Sequence, residues 1–432
     1  MITCHLLNGE FVDREFSDFT AIADVINSNR RALQEMPFDV IIELLSKLGR
    51  KLIQNPDINS LQGVSYISIW LRRKNLERIC KTNYGDCKYL DAFISVDNHF
   101  AMAAQPRGIV CQWIAANIPT LAFFSLAQAI LSKNGSIVKV PEENSAFIAA
   151  LLKELSDIAI SYNGTTYRGE DIVKSISLVS FEGRNSETSR MFSLTADCKV
   201  VYGGSEAIRS ILALPQKEHC ETLIFGPKYS FGVFDREYIE SERFEKALEN
   251  SVKDIAIFNQ MACSSPQVLF FEKSRYSLEE IGLKMKGYFE HLPQILRHQD
   301  TDPAILANII NMRSRYLLSD HQNIITPPDL SWTILMDTNP RLEDPIHGKC
   351  IFIKEIESIN ETLDLITRKI QAVTLCIRDE EKRRTFAREA TYRGVDRIVI
   401  PGATHDYDQP WDGILPMNRL VRWVILKNEP EV

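Results

Sequence analysis

The sequence predicts an α/β protein of two doubly wound domains with a cleft between them, plus helical and β additions. Three observations lead there. From about residue 107, short β-rich runs alternate with helix-length amphipathic runs, the pattern of a parallel sheet covered on both faces. The same alternation restarts near Tyr229. The 432 residues, 45% hydrophobic and 25% charged, suit a soluble globular chain with two or three cored domains.

Residues 1 to about 90 read as mostly helical, because PFDVIIELLSKLGRKLI and LQGVSYISIWLRRKNLERI carry apolar residues at 3–4 spacing. Strands are then predicted at GIVCQWI, SIVKVP, SISLVSF, CKVVYGG and ETLIFG. The helices between them are IPTLAFFSLAQAILSKNG, ENSAFIAALLKEL and GSEAIRSILAL. In the second block, helices are expected at SLEEIGLKMKGYFEHL, PAILANIINMRSRYLL and EEKRRTFAREATYRG. Strands are expected at SWTILM, KCIFIKEI, AVTLCIR and RIVI, with TPPD (326–329) a loop. LVRWVIL near the end reads as an edge strand.

A formal net charge of −7 leaves no basic field for nucleic acid. The start lacks a secretory signal, and the longest apolar stretch, Ile114 to Leu131, is too interrupted for a membrane span. Nine cysteines without a C-x-x-C pair argue for reduced thiols in a cytoplasm rather than a disulfide framework or zinc cage.

Four places could carry chemistry. Cys263 sits in a polar turn between a helix ending near Phe258 and the β-rich run Val268 to Phe271, where Pro266 and two serines stop the helix. It is either a nucleophile or a small buried hydrophobe. Asn117, ahead of Pro119, could aim its amide at a developing oxyanion or merely cap a helix. Lys139, with Glu142 three residues on, leaves a strand at the ligand edge, where it binds ribose or phosphate oxygens or else snorkels. Gly203-Gly204-Ser205 lies between strand and helix, where a backbone can approach a pyrophosphate, although no G-x-G-x-x-G is present.

In order, PRGIVCQWIAANIP, SIVKVPE, VVYGGSEAIR, LIFGPK and FNQMACSS resemble the motifs of the aldehyde dehydrogenase superfamily. YGGSEAIR, IFGPKYSFGVFD, ACSSPQ and the late PWDG…LVRW narrow the resemblance to the acyl-CoA reductase (LuxC) family, which includes the fatty acid reductase of bacterial luminescence. It spans roughly residues 90 to 425. The resemblance implies an aldehyde-dehydrogenase-like fold with a β extension for oligomerisation. Residues 1–229 would hold a helical region and a nicotinamide-cofactor domain, interrupted near 87–105 by that extension. Residues 230–404 would form the catalytic domain, and 405–432 a tail contributing an oligomerisation strand.

It further implies Cys263 as nucleophile, Asn117 and the Cys263 N–H as oxyanion donors, and Lys139, Glu142, Gly203, Gly204 and Ser205 as cofactor contacts. The cofactor implied is NADPH, with NADH the alternative that Glu142 favours through ribose hydroxyls. The substrate is a fatty acyl-CoA or acyl-protein thioester, an acyl-protein synthetase is a candidate partner, and a homo-oligomer is expected. Two departures matter. Ile224 replaces the glutamate that activates water in hydrolytic members, so the acyl thioester should survive for reduction. HGKCIFIKEI replaces the region of the ribose-binding glutamate. Two alternatives stay open: a CoA-acylating aldehyde dehydrogenase working oxidatively, and a non-redox cysteine acyl carrier or acyltransferase.

Overall fold

Ile137, Leu178 and Val200 are buried, and so are Ser136, Ser177 and Lys199, the preceding residues that face the other side of the sheet. Such strands belong to a sheet covered on both faces. The computed structural model describes residues 1–115, 118–183, 185–297, 299–319 and 323–427. They form two compact units, Met1–Gly226 with Asp408–Val432, and Pro227–Tyr407.

The first unit departs from the helical expectation at its start: β1 (Ile2–Leu6) and β2 (Arg14–Phe16) precede any helix. In β1 the residues Ile2, Cys4 and Leu6 are buried while Thr3 and His5 are less so. That alternation is genuine but only five residues long, too short to stand out from sequence. Helices Thr20–Glu35 and Phe38–Gln54 follow. The run 61–79 is two helices, Val64–Trp70 and Arg73–Tyr84, because Arg72 takes an extended backbone between them.

Next come β3 (Ile94–Ser95), β4 (Phe100–Pro106), β5 (Ile109–Trp113) and β6 (Gly135–Lys139). An unanticipated hairpin, β7 (Ala159–Tyr162) and β8 (Thr165–Arg168), turns at Asn163 and Gly164, both with positive φ as a two-residue hairpin turn of type I′ requires. Strands β9 (Ile176–Ser180), β10 (Cys198–Tyr202) and β11 (Glu221–Phe225) complete the unit's main sheet, of order β11-β10-β5-β6-β9-β1-β2. The chain runs from β5 through β6 to β9 on one side, then returns to place β10 and β11 on the other. All four contacts among these strands are parallel, and β1 and β2 add antiparallel. The carboxyl ends of β5 and β10 therefore flank a topological switch point, where doubly wound sheets bind ligands.

The second unit holds β12 (Tyr229–Phe234), β13 (Pro266–Glu272), β14 (Asn323–Ile325), β15 (Thr333–Asp337), β16 (Cys350–Ile356), β17 (Ile370–Cys376) and β18 (Arg397–Val399). Their order is β14-β15-β16-β13-β12-β17-β18, parallel except for β14. Neighbouring residues of β13 feed opposite cores. Val268 and Phe270 pack with Ile309 and Phe386 on one face, Leu269 and Phe271 with Leu248 and Met285 on the other. Finally β19 (Val421–Lys427) runs antiparallel to β4, which also pairs with β3, forming a three-stranded sheet within the first unit. Ile425 and Leu426 are exposed there. Among the described residues no helix is long and apolar enough to cross a membrane, and no cluster of His, Cys, Asp or Glu could hold a metal.

Candidate active site

The helix Phe244–Ala256 stops against three consecutive side-chain-bearing residues in the left-handed region: Phe258, Asn259 and Gln260, with φ of 53°, 51° and 63°. Such residues cost roughly 1–2 kcal/mol each, so their surroundings must hold them there. Gln260 is fully buried, and its amide donates to the Pro266 carbonyl at 2.9 Å. Its own carbonyl accepts from His347 Nδ1 at 2.9 Å and from Gln267 Nε2 at 3.3 Å. Asn259 Nδ2 donates to Thr301 Oγ1 at 2.8 Å, and the Asn259 carbonyl accepts the Gly348 N–H at 3.0 Å.

His347, Gly348 and Lys349 form a second left-handed run. Gly348 has φ +63°, and a Cβ there would lie 2.9 Å from Ile309 Cδ1, so only glycine fits without displacement. Two strained segments thus brace each other, one of them leading into Cys263.

Cys263 is half-buried in the turn between this segment and β13, and its carbonyl accepts from Ser230 Oγ at 2.7 Å. Elsewhere, burial pushes the thiols of Cys111, Cys198, Cys350 and Cys376 upward, Cys350 to about 12. At neutral pH those four are inert space-fillers. The turn begins at the amino end of a strand, whereas ligand edges in doubly wound sheets lie at carboxyl ends; the special backbone, not the sheet edge, presents this sulfur.

The first unit has a cavity of about 510 Å³ whose walls include Trp113 and Lys139, at the ends of β5 and β6, and Tyr202, Gly203 and Glu206. It opens at the switch point of that sheet. Lys139 is half-buried with its Nζ 5.0 Å from the centre of the Phe181 ring, and burial lowers its pKa. No carboxylate among the described residues lies within ion-pair distance of it. It is the single cation among the described lining, and Glu206 the single anion.

Gly203 lines the cavity, Gly204 caps the helix Ser205–Leu212, and a Cβ at Gly204 would meet nothing within 4 Å. A dinucleotide fits this arrangement: a cavity of ligand size, an unpaired cation for phosphate or ribose oxygens, and an open helix start for a pyrophosphate. Lys139 and Gly203 are thus brought to one cavity, with Gly204 and Ser205 at its helix. Glu142 lies exposed in the first turn of the helix Glu142–Ser156 and is not part of that wall. Asn117 lies outside the described residues, and Cys263 belongs to the second unit. Ile224, on β11, is 40% exposed. Sequence reasoning noted Tyr202 and Glu206 only as the ends of the glycine turn and gave them no role in the cavity, and it passed over His347 and Gln260 beside the cysteine turn. The first pair flank the glycines in sequence, but no local signal marks the second.

The chain is similar over nearly its whole length to solved aldehyde dehydrogenases. That of Brucella melitensis biovar abortus 2308 has a TM-score of 0.71 at 11% identity, covering 100% of this chain and 95% of that one. A 1-pyrroline-5-carboxylate dehydrogenase from Thermus with bound NAD has a TM-score of 0.69 at 11% identity, covering 99% and 90%. This likeness defines the fold as that of the aldehyde dehydrogenases. The family described as acyl-CoA reductase (LuxC) matches residues 17–423, and the chain belongs to that family. It is 25% identical to a long-chain acyl-protein thioester reductase of Vibrio harveyi over 391 residues, 89% of this chain and 76% of that protein. A protein of the same name from Aliivibrio fischeri is 22% identical over 373 residues, 83% and 72% of the two chains.

Proposed function

We propose that this protein reduces a fatty acyl thioester, carried on coenzyme A or on a protein, to the aldehyde through an acyl-Cys263 intermediate, with NADPH as reductant. The observation that carries this reading is the half-buried cysteine at the end of a braced, left-handed turn, in a chain of the LuxC family. The Cys263 thiolate attacks the acyl carbonyl, and the carrier thiol leaves as a thiolate, which needs no strong acid. The developing oxyanion is the task of the Cys263 backbone N–H and the Asn117 amide. A nicotinamide, when bound, would supply the hydride for the acyl carbon; Cys263 then leaves that carbon as a thiolate, which releases the aldehyde and restores the nucleophile. Lys139, Gly203, Gly204 and Ser205 hold the dinucleotide, with Glu142 at the margin. Ile224 cannot take a proton from water, which favours reduction over hydrolysis.

The test mixes purified protein, an acyl-CoA series and NADPH or NADH, and follows loss of reduced cofactor together with aldehyde. Equal amounts of both products are expected, with NADPH preferred. Acyl transfer to Cys263 without cofactor oxidation at any chain length would instead mark a non-redox acyl carrier. For Lys139→Met, loss of a charge-assisted contact predicts a cofactor KM raised about 10-fold or more. Its kcat should change less, and its thermal midpoint should not fall, because the desolvated ammonium contributes nothing to stability. An unchanged KM would remove Lys139 from the cofactor site.

The exposed Ile425 and Leu426 beside β4 are proposed to be covered by a second copy of the chain. We place the enzyme in the cytoplasm.

A further inference from the structure

The turn carrying Cys263 is tied, through its next residue, to a histidine far along the chain. Ser264 is 3% exposed, and its Oγ lies 3.0 Å from His405 Nδ1. The other ring nitrogen, Nε2, lies 2.8 Å from the Asp254 backbone carbonyl. A carbonyl can only accept, so Nε2 carries the proton, Nδ1 presents a lone pair, and the Ser264 hydroxyl donates to it. The ring also packs edge-on against Phe258, at 5.7 Å and 86°, within the strained segment. Burial holds this imidazole neutral, lowering its pKa to about 4. Such a group is a poor proton carrier at neutral pH and a durable acceptor.

On the preceding residue, Ser230, 1% exposed, donates from β12 to the Cys263 carbonyl at 2.7 Å. The Cys263–Ser264 peptide is therefore gripped from two independent directions. A nucleophile's own turn does not need two buried side-chain hydrogen bonds merely to fold. It needs them if the Cys263 Cα, which carries the thiol and joins this peptide to the Cys263 N–H, must not turn, because thiol and N–H have to meet one carbonyl together.

We infer that His405 is a positioning residue for the acyl-transfer step, acting through Ser264 to fix the Cys263–Ser264 peptide. This rests on Cys263 being the nucleophile. Without the acceptor, the Ser264 hydroxyl turns elsewhere and the peptide gains freedom. Misplacement by about 1 Å costs on the order of 100-fold in rate.

The experiment measures the rate at which Cys263 takes up radiolabelled acyl groups, from octanoyl- to palmitoyl-CoA, with no cofactor present. His405→Ala is expected to slow labelling roughly 10–100-fold, with the cofactor KM unchanged. Two further variants separate the ring's two bonds. His405→Asn places an amide oxygen where Nδ1 stands and keeps the acceptor for Ser264. His405→Gln places an amide N–H where Nε2–H stands and keeps only the anchor to Asp254. Recovery by Asn and not by Gln is expected, and Ser264→Ala combined with His405→Ala should be no slower than either alone. Recovery by Gln alone, multiplying effects, or failure of both the Asn and Gln variants to fold would each overturn the inference and leave His405 a loop anchor. If the unaltered protein carries no label on Cys263, the nucleophile assignment itself has failed, a result distinct from all of these.

Discussion

Cys263→Ala is expected to abolish both acyl labelling and thioester reduction, a loss of at least about 1000-fold, while cofactor affinity and fold persist. The expectation follows from where the sulfur stands. It is half-buried at the surface of a turn whose bracing comes from Gln260, His347, Gly348 and Ser230, and none of those hydrogen bonds involves the thiol. Removing one sulfur there should alter stability by less than about 1 kcal/mol. Labelling is read by mass spectrometry, reduction by cofactor absorbance, and affinity by cofactor fluorescence. Persistent labelling in the variant would move the nucleophile to another cysteine, most simply Cys87 or Cys220, the other two that are not fully buried.

Asp254→Asn should stabilise the protein above neutral pH. Asp254 is 2% exposed, and burial raises its pKa to about 7 against the opposing Gly402 N–H, which donates to its carboxylate at 2.7 Å. Between about pH 4 and 7 the unfolded chain releases this proton first, so the folded state loses stability as pH rises and stays weakened above 7. For a shift of about three units that penalty is roughly 4 kcal/mol at most. His405 acts with the opposite sign. Its pKa of about 4 lies below the usual histidine value, so the unfolded chain binds that proton first and stability falls as pH drops from about 6.5 to 4.

In the unaltered protein the two slopes oppose each other between pH 4 and 6.5. Asparagine keeps an acceptor for Gly402 and removes only the carboxylate's share. Urea unfolding should then show a gain of about 2–4 kcal/mol at pH 8 and a steeper acid limb, near 1.4 kcal/mol per pH unit. Equal or lower stability at pH 8 would show that Asp254 is ionised at little cost.

Much of the architecture was legible. The runs at 109–113, 135–139, 176–180 and 198–202 are short, β-rich and separated by helices, the pattern of a parallel sheet, and nearly all their positions are buried. Pro266 and its neighbouring serines announced the break in which Cys263 lies. The backbone of that break was not legible. Phe258 and Gln260 are poor candidates for positive φ, and although asparagine tolerates it, nothing local predicts three such residues in succession. Helix was expected to Phe258, and the regular helix ends at Ala256. Likewise β1 was hidden by its brevity, and the split at Arg72 by an apolar spacing that continues across it.

Periodicity and punctuation were enough to establish two parallel sheets and to locate a thiol and a glycine turn, because these depend on residues a few positions apart. The pairing of Ser264 with His405 and of Gln260 with His347, and the strain those pairs sustain, arise between residues 141 and 87 positions apart. Hydrogen bonds over such separations form only once the hydrophobic cores have brought their elements together, so no local pattern can carry them.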